Sequence, residues 1–291
     1  MEKRPLGATG MQVSVLGLGA GHVGGAELSE DHVGWLLNAA LDLGVNLVDT
    51  ARGYGLSEER IGRHLAWRRR DFVLVSKCGY GVEGVADWTP ECIRVGVDQA
   101  LRRMRTDHID VMMLHSCPRA TLEQPGLLDA LDDAVRAGKV RHAGYSGENE
   151  DLAYAILTGC FTVFETSVNV FDQRGLWELV PRMGAAGVIA KRPAGNAPWR
   201  FVERPHGHYG EVYWERMVQL GLRPGPLSWT EYALRFAAHA PGVHCAIVGT
   251  SSVEHLRENV RAVEAGPLSS EVFAEARAAF ERVGRDWRGQ V

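Results

Sequence analysis

The sequence lacks the features that mark membrane, secreted and metal-knuckle proteins. No segment approaches about 18 uncharged apolar residues, and the first residues have no apolar core, so we expect neither a membrane helix nor a signal peptide. Cysteines are few, odd in number and never spaced C-x-x-C, which argues against a disulfide framework and a zinc knuckle. A reduced, cytoplasmic compartment is therefore expected.

An excess of either charge is also absent. Lys and Arg number 32 and Asp and Glu number 36, which gives a net charge of −4. We therefore expect no nucleic-acid or membrane partner. Hydrophobic residues make up 45% and charged residues 23%, which is ordinary for a globular protein. No repeat or linker divides the chain, so a single domain over residues 1–291 is expected.

Short apolar runs alternate with amphipathic helical patterns along the chain. Eight runs are typical of buried parallel strands, because they are continuously apolar. They are Ser14–Gly19, Val45–Thr50, Phe72–Lys77, Ile109–His115, Val140–Ser146, Thr162–Asn169, Gly187–Pro193 and His244–Thr250. Eight strand–helix units in about 250 residues predict an α/β fold, a closed (β/α)8 TIM barrel.

Helical patterns follow most of these strands. One begins near Ser29, and the others cover Ser57–Trp67, Thr89–Met104, Leu122–Arg136, Asn149–Leu157, Gly175–Met183 and Val253–Ala265. Residues 3–13 predict an N-terminal β-hairpin at the bottom of the barrel, and a C-terminal helix from Ser269 should pack outside it. The stretch Ala194–Pro226 predicts a pocket loop with a short helix near Tyr213–Leu220.

The run "GAGHVG" (Gly19–Gly24) raises a Rossmann fold as an alternative, since it fits G-x-G-x-x-G after a strand. In that fold the glycines open a helix directly, but "GAELSED" intervenes before the helix cap near Ser29. A doubly wound sheet also leaves the polar residues at later strand ends unexplained. We therefore favour the barrel.

Polar residues at strand ends are the candidates for chemistry, because barrel enzymes act at the carboxyl ends of their strands. Asp49 ends the second strand, Tyr54 follows in a loop, and Lys77 and His115 end the next two strands. An adjacent ammonium lowers the pKa of a phenol, and a paired carboxylate keeps the ammonium charged. A histidine can donate a hydrogen bond to a developing oxyanion. Each residue alone also fits a structural role, but together they indicate carbonyl reduction.

The chain resembles the aldo-keto reductase superfamily, in its bacterial NADPH-dependent form, over nearly its whole length. The matching segments are "RPLGATGMQVSVLGLG", "VDTARGYGLSEERIG", "VLVSK", "DHIDVMMLH", "VRAGKVRHAGYSG", "VFDQRG" and "IVGTSSVEHLRENV". The resemblance implies that Tyr54 is the general acid, that Lys77 and Asp49 tune it, and that His115 orients the carbonyl of a small-molecule substrate. It also implies hydride transfer from NADPH, with NADH as the alternative.

The resemblance places the nicotinamide at the ends of the fifth to seventh strands. Ser146 matches the serine that holds the carboxamide, while Gly147 and Glu165 stand where the family usually has asparagine and glutamine. An ionised carboxylate only accepts hydrogen bonds, so Glu165 could still accept from the carboxamide NH2. Arg192 is expected to stack on the nicotinamide or cap the pyrophosphate, with a salt bridge at the barrel rim as the alternative.

The segment "GTSSVEHLREN" resembles the adenosine phosphate site. The helix that begins near Val253 directs its N–H groups and dipole toward an anion. Ser251 and His255 match contacts to a 2′-phosphate, and Glu258 and Asn259 match residues near the adenine. The other expected cofactor contacts are Gly19, Asp49, Lys191, Pro193 and Gly249.

Substrate contacts are expected from Gly21, His22, Trp88 and Trp199, with surface packing as the alternative for either tryptophan. The run "HGH" at 206–208 lacks a third ligand, so no metal is expected. Two other functions are considered beside the reductase. One is a nicotinamide-binding regulatory or interaction protein, and the other is a metal-dependent barrel hydrolase. Neither the substrate nor the oligomeric state is predicted.

Overall fold

The computed structural model describes residues 1–291, and it begins with a small antiparallel hairpin of β1 (Lys3–Pro5) and β2 (Gln12–Ser14). Eight parallel strands then form a closed barrel in chain order, with the last strand pairing with the first. They are β3 (Leu16–Gly19), β4 (Leu47–Asp49), β5 (Val73–Cys78), β6 (Ile109–His115), β7 (Val140–Ser146), β8 (Val163–Ser167), β9 (Gly187–Lys191) and β10 (Cys245–Gly249). The predicted TIM barrel and hairpin are confirmed, and the Rossmann alternative is wrong.

Ten α-helices accompany the strands. They are α1 (Glu30–Asp42), α2 (Ser57–Leu65), α3 (Pro90–Met104), α4 (Arg119–Leu122), α5 (Leu127–Arg136), α6 (Asn149–Thr158), α7 (Glu211–Leu220), α8 (Trp229–Ala238), α9 (Val253–Glu264) and α10 (Ser270–Val283). None is long and apolar enough to cross a membrane.

Two predicted helices are interrupted in the structure. The helix predicted over 122–136 begins only at Leu127, because Leu122 ends α4 and Gly126 before α5 adopts a left-handed conformation with φ of 85°. The segment 175–183 is a turn of π-helix followed by 3-10 helix, in which Pro181 has no N–H to continue the ladder.

Helix α8 was not predicted, although the sequence holds a signal for it. Ser228 caps the helix by accepting a hydrogen bond from the N–H of Glu231 at 3.1 Å. Ser228 and Glu231 have the S-x-x-E spacing of a capping box, so this helix start was readable. Helix α8 lies between β9 and β10 in the chain and packs against β10 and α9.

The hairpin closes one end of the barrel. Leu6 and Val13 are fully buried and join a cluster of side chains inside the barrel that includes Val111, Ile189 and Cys245. A larger cluster of 66 buried residues lies mainly between the barrel and the helices around it. Because apolar side chains fill the barrel interior, a ligand has access only at the carboxyl ends of the strands.

Candidate active site

A cavity of about 470 Å³ opens at the carboxyl ends of the strands. Predicted site residues that line it are Gly19, Gly21, His22, Asp49, Tyr54, His115, Glu165, Lys191, Arg192, Pro193 and Gly249. Strand register explains part of this gathering, since Ser146 pairs with His115 on one side and with Glu165 on the other. The barrel thus joins residues that are far apart in the chain.

Lys77 is completely buried between two carboxylates. Its Nζ lies 2.5 Å from Oδ1 of Asp49 and 3.4 Å from Oε2 of Glu165, and it also donates to the carbonyl of Thr50 at 3.2 Å. Burial alone would lower the pKa of Lys77, but the surrounding negative charges outweigh it and raise that pKa. The lysine is therefore an ammonium ion at neutral pH.

The pKa of Asp49 shifts in the opposite direction from that of an ordinary ion-paired acid. Burial and the neighbouring Glu165 raise its pKa well above the usual range, even though Lys77 acts to lower it. Lys77 thus interacts with two acidic side chains, Asp49 and Glu165. Sequence reasoning considered only one of them as its partner.

Tyr54 lies beside both Lys77 and His115. The ammonium of Lys77 is 5.4 Å from the centre of its ring, and the His115 ring meets it edge-on at 5.8 Å. Lys77 acts to lower the pKa of Tyr54, but burial together with Asp49 and Glu165 outweighs it and raises that pKa to about 12. The expected net lowering is therefore wrong for the protein alone. The phenol keeps its proton at neutral pH.

His115 contacts an aromatic residue that sequence reasoning missed. The hydroxyl of Tyr80 lies 2.8 Å from its Nδ1, and the two rings stack at 5.5 Å. Burial and the positive charge of Lys77 lower the pKa of His115 to about 3, so its imidazole is neutral. The position of Tyr80 shortly after the strand that ends near Lys77 was the signal that could have identified it.

Glycines let the loop after β3 pack directly against the loop that carries Tyr54. A Cβ on Gly24 would lie 1.8 Å from the carbonyl oxygen of Tyr54, and the N–H of Leu56 donates to the carbonyl of Gly24 at 3.1 Å. The glycines of "GAGHVG" therefore make room for the Tyr54 loop and open no Rossmann helix.

A line of alternating charges crosses the ends of β7 to β9. Ser146 donates to Oε1 of Glu165 at 3.0 Å and accepts from Nζ of Lys191 at 3.3 Å. Lys191 in turn pairs with Glu148 at 3.3 Å. Buried Glu148, which also accepts from the backbone N–H of Ser167 at 2.8 Å, had no signal in the sequence.

Packing explains why the residue after Ser146 is a glycine. A Cβ at Gly147 would lie 2.5 Å from the ring of Tyr145, whose hydroxyl donates to the carbonyl of Cys117 at 2.7 Å. The asparagine usual in the family would require Tyr145 to move. In this chain Tyr145 occupies the space that the asparagine side chain would need.

Arg192 reaches the last residues of the chain. Its Nη1 donates to the carbonyl of Gln290 and lies 3.4 Å from the hydroxyl of Ser167. Gly289 and Asn149 exchange two hydrogen bonds, and Val291 lines the cavity. The salt bridge considered for Arg192 is thus replaced by a backbone contact that the sequence did not reveal.

The two predicted tryptophans do not line the cavity. Trp199 stacks on Trp229 with ring centres 5.9 Å apart and an angle of 9°. Trp88 meets the ring of Tyr80 at 5.8 Å, so it supports the partner of His115. Gly21 and His22 do line the cavity, and the packing alternative describes both tryptophans.

The proposed adenosine residues lie just before α9 and within its first two turns, outside the cavity. Ser251, His255 and Glu258 are exposed, while Asn259 is buried. Ser252 caps the helix through the N–H of His255 at 3.3 Å. Exposed polar side chains at a capped helix start fit an anionic group, and the cavity reaches Gly249 in the strand just before them.

Strained backbone is concentrated around the cavity. Ser116, Arg192, Asn196 and Ala197 line it and have φ between 51° and 61°, a left-handed conformation that residues with a side chain seldom adopt. Such conformations cluster at ligand sites. No group of three or more His, Cys, Asp or Glu residues is arranged to hold a metal ion.

Comparison with known proteins agrees with this geometry. A family model described as "Aldo/keto reductase family" matches residues 15–184 and 201–281. The chain is 28% identical to L-galactose dehydrogenase of Arabidopsis thaliana, with 97% of this chain and 95% of that protein covered. It is 29% identical to the NADH-specific methylglyoxal reductase of Escherichia coli (strain K12), covering 97% of this chain and 100% of that one.

A solved structure shares the whole architecture. The holo form of an aldo-keto reductase from Bacillus halodurans superposes with a TM-score of 0.84 at 26% identity, and 96% of each chain is covered. The family match extends over most of the sequence, and the barrel and hairpin agree with it. The chain therefore belongs to the aldo/keto reductase family.

Proposed function

We propose that this protein reduces an aldehyde or ketone to an alcohol with NAD(P)H, and that Tyr54 is the general acid. The observation that carries the proposal is that Tyr54 and neutral His115 line one cavity side by side, with Asp49 beside them and Lys77 buried behind Asp49. A protonated phenol supplies a proton, and a neutral imidazole supplies a hydrogen bond to the carbonyl oxygen.

The residues of the cavity fit a nicotinamide cofactor, which when bound would supply the hydride. Oε2 of Glu165 is buried, lies 3.4 Å from Nζ of Lys77 and accepts no hydrogen bond in the protein, so it can accept one from an amide N–H. Ser146 and Lys191 stand beside it, and Arg192 lies at the rim. We favour NADPH and keep NADH as the alternative, since the name of one relative records NADH specificity.

Four side chains take part in the proposed chemical step, each with its own role. His115 positions the carbonyl oxygen, and Tyr54 transfers its hydroxyl proton to that oxygen as the carbonyl carbon gains the hydride. Lys77 stabilises the phenolate left on Tyr54, and Asp49 helps to keep Lys77 charged. The phenolate regains its proton from water before the next turnover.

Tyr80 acts through His115 and is a positioning residue. The Tyr80 hydroxyl has Nδ1 of His115 as its hydrogen-bond partner. We infer that the phenol donates this hydrogen bond, which leaves the imidazole hydrogen on Nε2 and available to a substrate oxygen.

The lining of the cavity favours a small polar carbonyl compound. Seven of its twenty lining residues are hydrophobic, and Arg200, Asn196 and Tyr209 bring polar groups to it. Polar groups in a pocket select substrates that can satisfy their hydrogen bonds. Short hydroxylated aldehydes and sugars are therefore the first substrates to test.

The deciding experiment measures oxidation of NADPH and NADH against a panel of such carbonyl compounds. Tyr54→Phe should lower kcat by about 10² to 10⁴ while cofactor binding survives. Tyr154→Phe, outside the cavity, is the matched control and should keep full activity. Tight cofactor binding without turnover would favour the regulatory alternative, and failure to bind either cofactor would refute the reductase proposal.

A further inference from the structure

Glu165 is a buried acid with one oxygen that accepts no hydrogen bond. Glu165 lies in the middle of β8, is 2% exposed and lines the cavity. Oε1 accepts from Ser146 at 3.0 Å, but Oε2 accepts no hydrogen bond. Oε2 lies 3.4 Å from Nζ of Lys77, which donates instead to Asp49, and a buried carboxylate oxygen that accepts no hydrogen bond at a cavity wall points to a ligand.

Nearby positive charge keeps Glu165 ionised. Burial acts to raise the pKa of Glu165, but Lys77, Lys191 and the hydrogen bond from Ser146 outweigh it and lower that pKa. Neither lysine is free to neutralise it alone. Lys77 lies closer to Asp49, at 2.5 Å, and Lys191 is paired with Glu148 at 3.3 Å.

We propose that the negative charge of Glu165 makes this cavity bind the oxidised nicotinamide cofactor more tightly than the reduced one. This inference rests on the proposed function and concerns the same site. The oxidised nicotinamide ring carries a positive charge and the reduced ring carries none, while the carboxamide is common to both. A carboxylate attracts the cation, whereas a glutamine in its place offers the same acceptor without the charge.

The test is the ratio of dissociation constants for NADP⁺ and NADPH, measured by calorimetry on the complete chain, and repeated for NAD⁺ and NADH. Glu165→Gln keeps the size and the acceptor of the side chain but removes its charge. We expect this substitution to weaken binding of the oxidised cofactor, relative to binding of the reduced cofactor, by on the order of tenfold. Glu275→Gln, on the exposed outer helix, removes the same charge far from the cavity and should leave the ratio unchanged.

Glu165→Ala provides a second variant that also removes the charge, in case the first does not fold. We expect Glu165→Ala to cause the same relative loss of affinity for the oxidised cofactor. An unchanged ratio in either folded variant, with both cofactor forms still bound, would overturn this inference and leave the reductase proposal intact. Absence of binding to any form in the unaltered protein would overturn both.

Discussion

The hydroxyl oxygen of Tyr80 lies 2.8 Å from Nδ1 of His115, and the two rings stack with an angle of 22° between them. His115 also meets the ring of Tyr54 edge-on at 5.8 Å. The imidazole of His115 thus stacks on Tyr80, which holds it, and makes a perpendicular contact with Tyr54, the proposed acid. The orientation of His115 depends on a residue that need not touch the substrate.

Replacing Tyr80 by phenylalanine tests this dependence. We expect Tyr80→Phe to fold and to lower kcat roughly tenfold to a hundredfold with little change in KM, since the imidazole loses its fixed tautomer. Nitrogen NMR of His115 should change from one tautomer to a mixture. Tyr154→Phe is again the control. An unaltered His115 spectrum together with unaltered kcat would show that the contact is only packing.

The ionisation of Tyr54 can be measured directly in the protein without cofactor. Because burial and two carboxylates outweigh Lys77, the pKa of Tyr54 is raised to about 12. The ultraviolet difference titration of the unaltered protein against Tyr54→Phe should therefore show no phenolate from this residue below about pH 11. A transition near pH 7 to 8 would instead support the lowered pKa expected from the sequence.

His115 should make the protein sensitive to acid. Its folded-state pKa is about 3, below the value near 6.5 of an unfolded chain, so the unfolded state binds more protons between these values. The stability associated with neutral His115 is complete above about pH 6.5 and is lost as the pH falls toward 3.

Urea unfolding at pH 7 and pH 5 measures this loss. Between these conditions the unaltered protein should lose up to about 2 kcal/mol more unfolding free energy than His115→Asn, because the other titrating groups are common to both. Equal losses in the two proteins would contradict a buried, neutral His115.

The loop that packs on Tyr54 is held by one buried arginine. Arg60 is 3% exposed, pairs with Glu30 at 2.8 Å, and donates to the carbonyls of Val23, Gly25 and Leu28 at 2.7 Å each. Arg60→Leu leaves three carbonyls and one carboxylate without this partner, so we expect a loss of about 3 kcal/mol or more in unfolding free energy.

A matched control lies one helical turn away. Arg63 contacts the same carboxylate at 2.6 Å, but its side chain is 48% exposed. Arg63→Leu should therefore cost less than about 1 kcal/mol, because exposed ion pairs contribute little. Both values can be read from urea unfolding. Similar costs for the two substitutions would mean that burial of Arg60 does not matter.

Some elements were predictable because their signals are local. The bounds of β6 and β7 agree with Ile109–His115 and Val140–Ser146, since continuous apolar runs mark buried strands. Once eight such strands close into a barrel, their carboxyl ends must meet. This is why Asp49, Lys77 and His115 could be grouped correctly from the sequence.

Other features depend on contacts between distant parts of the chain. Tyr80 faces His115 across 35 residues, and Arg192 reaches Gln290 across 98. The two tryptophans face packing neighbours and not the cavity, which no local pattern distinguishes. Side-chain direction in loops is decided by the neighbours available in three dimensions.

The sequence by itself determined the barrel, its hairpin and the set of strand-end residues, because hydrophobic periodicity and chain order are local properties. Only the tertiary structure decided the charge balance of the site. Lys77 lies between Asp49 and Glu165, and that second carboxylate helps to reverse the expected shift in the pKa of Tyr54. A pKa sums burial and every nearby charge, and these distances exist only after the chain has folded.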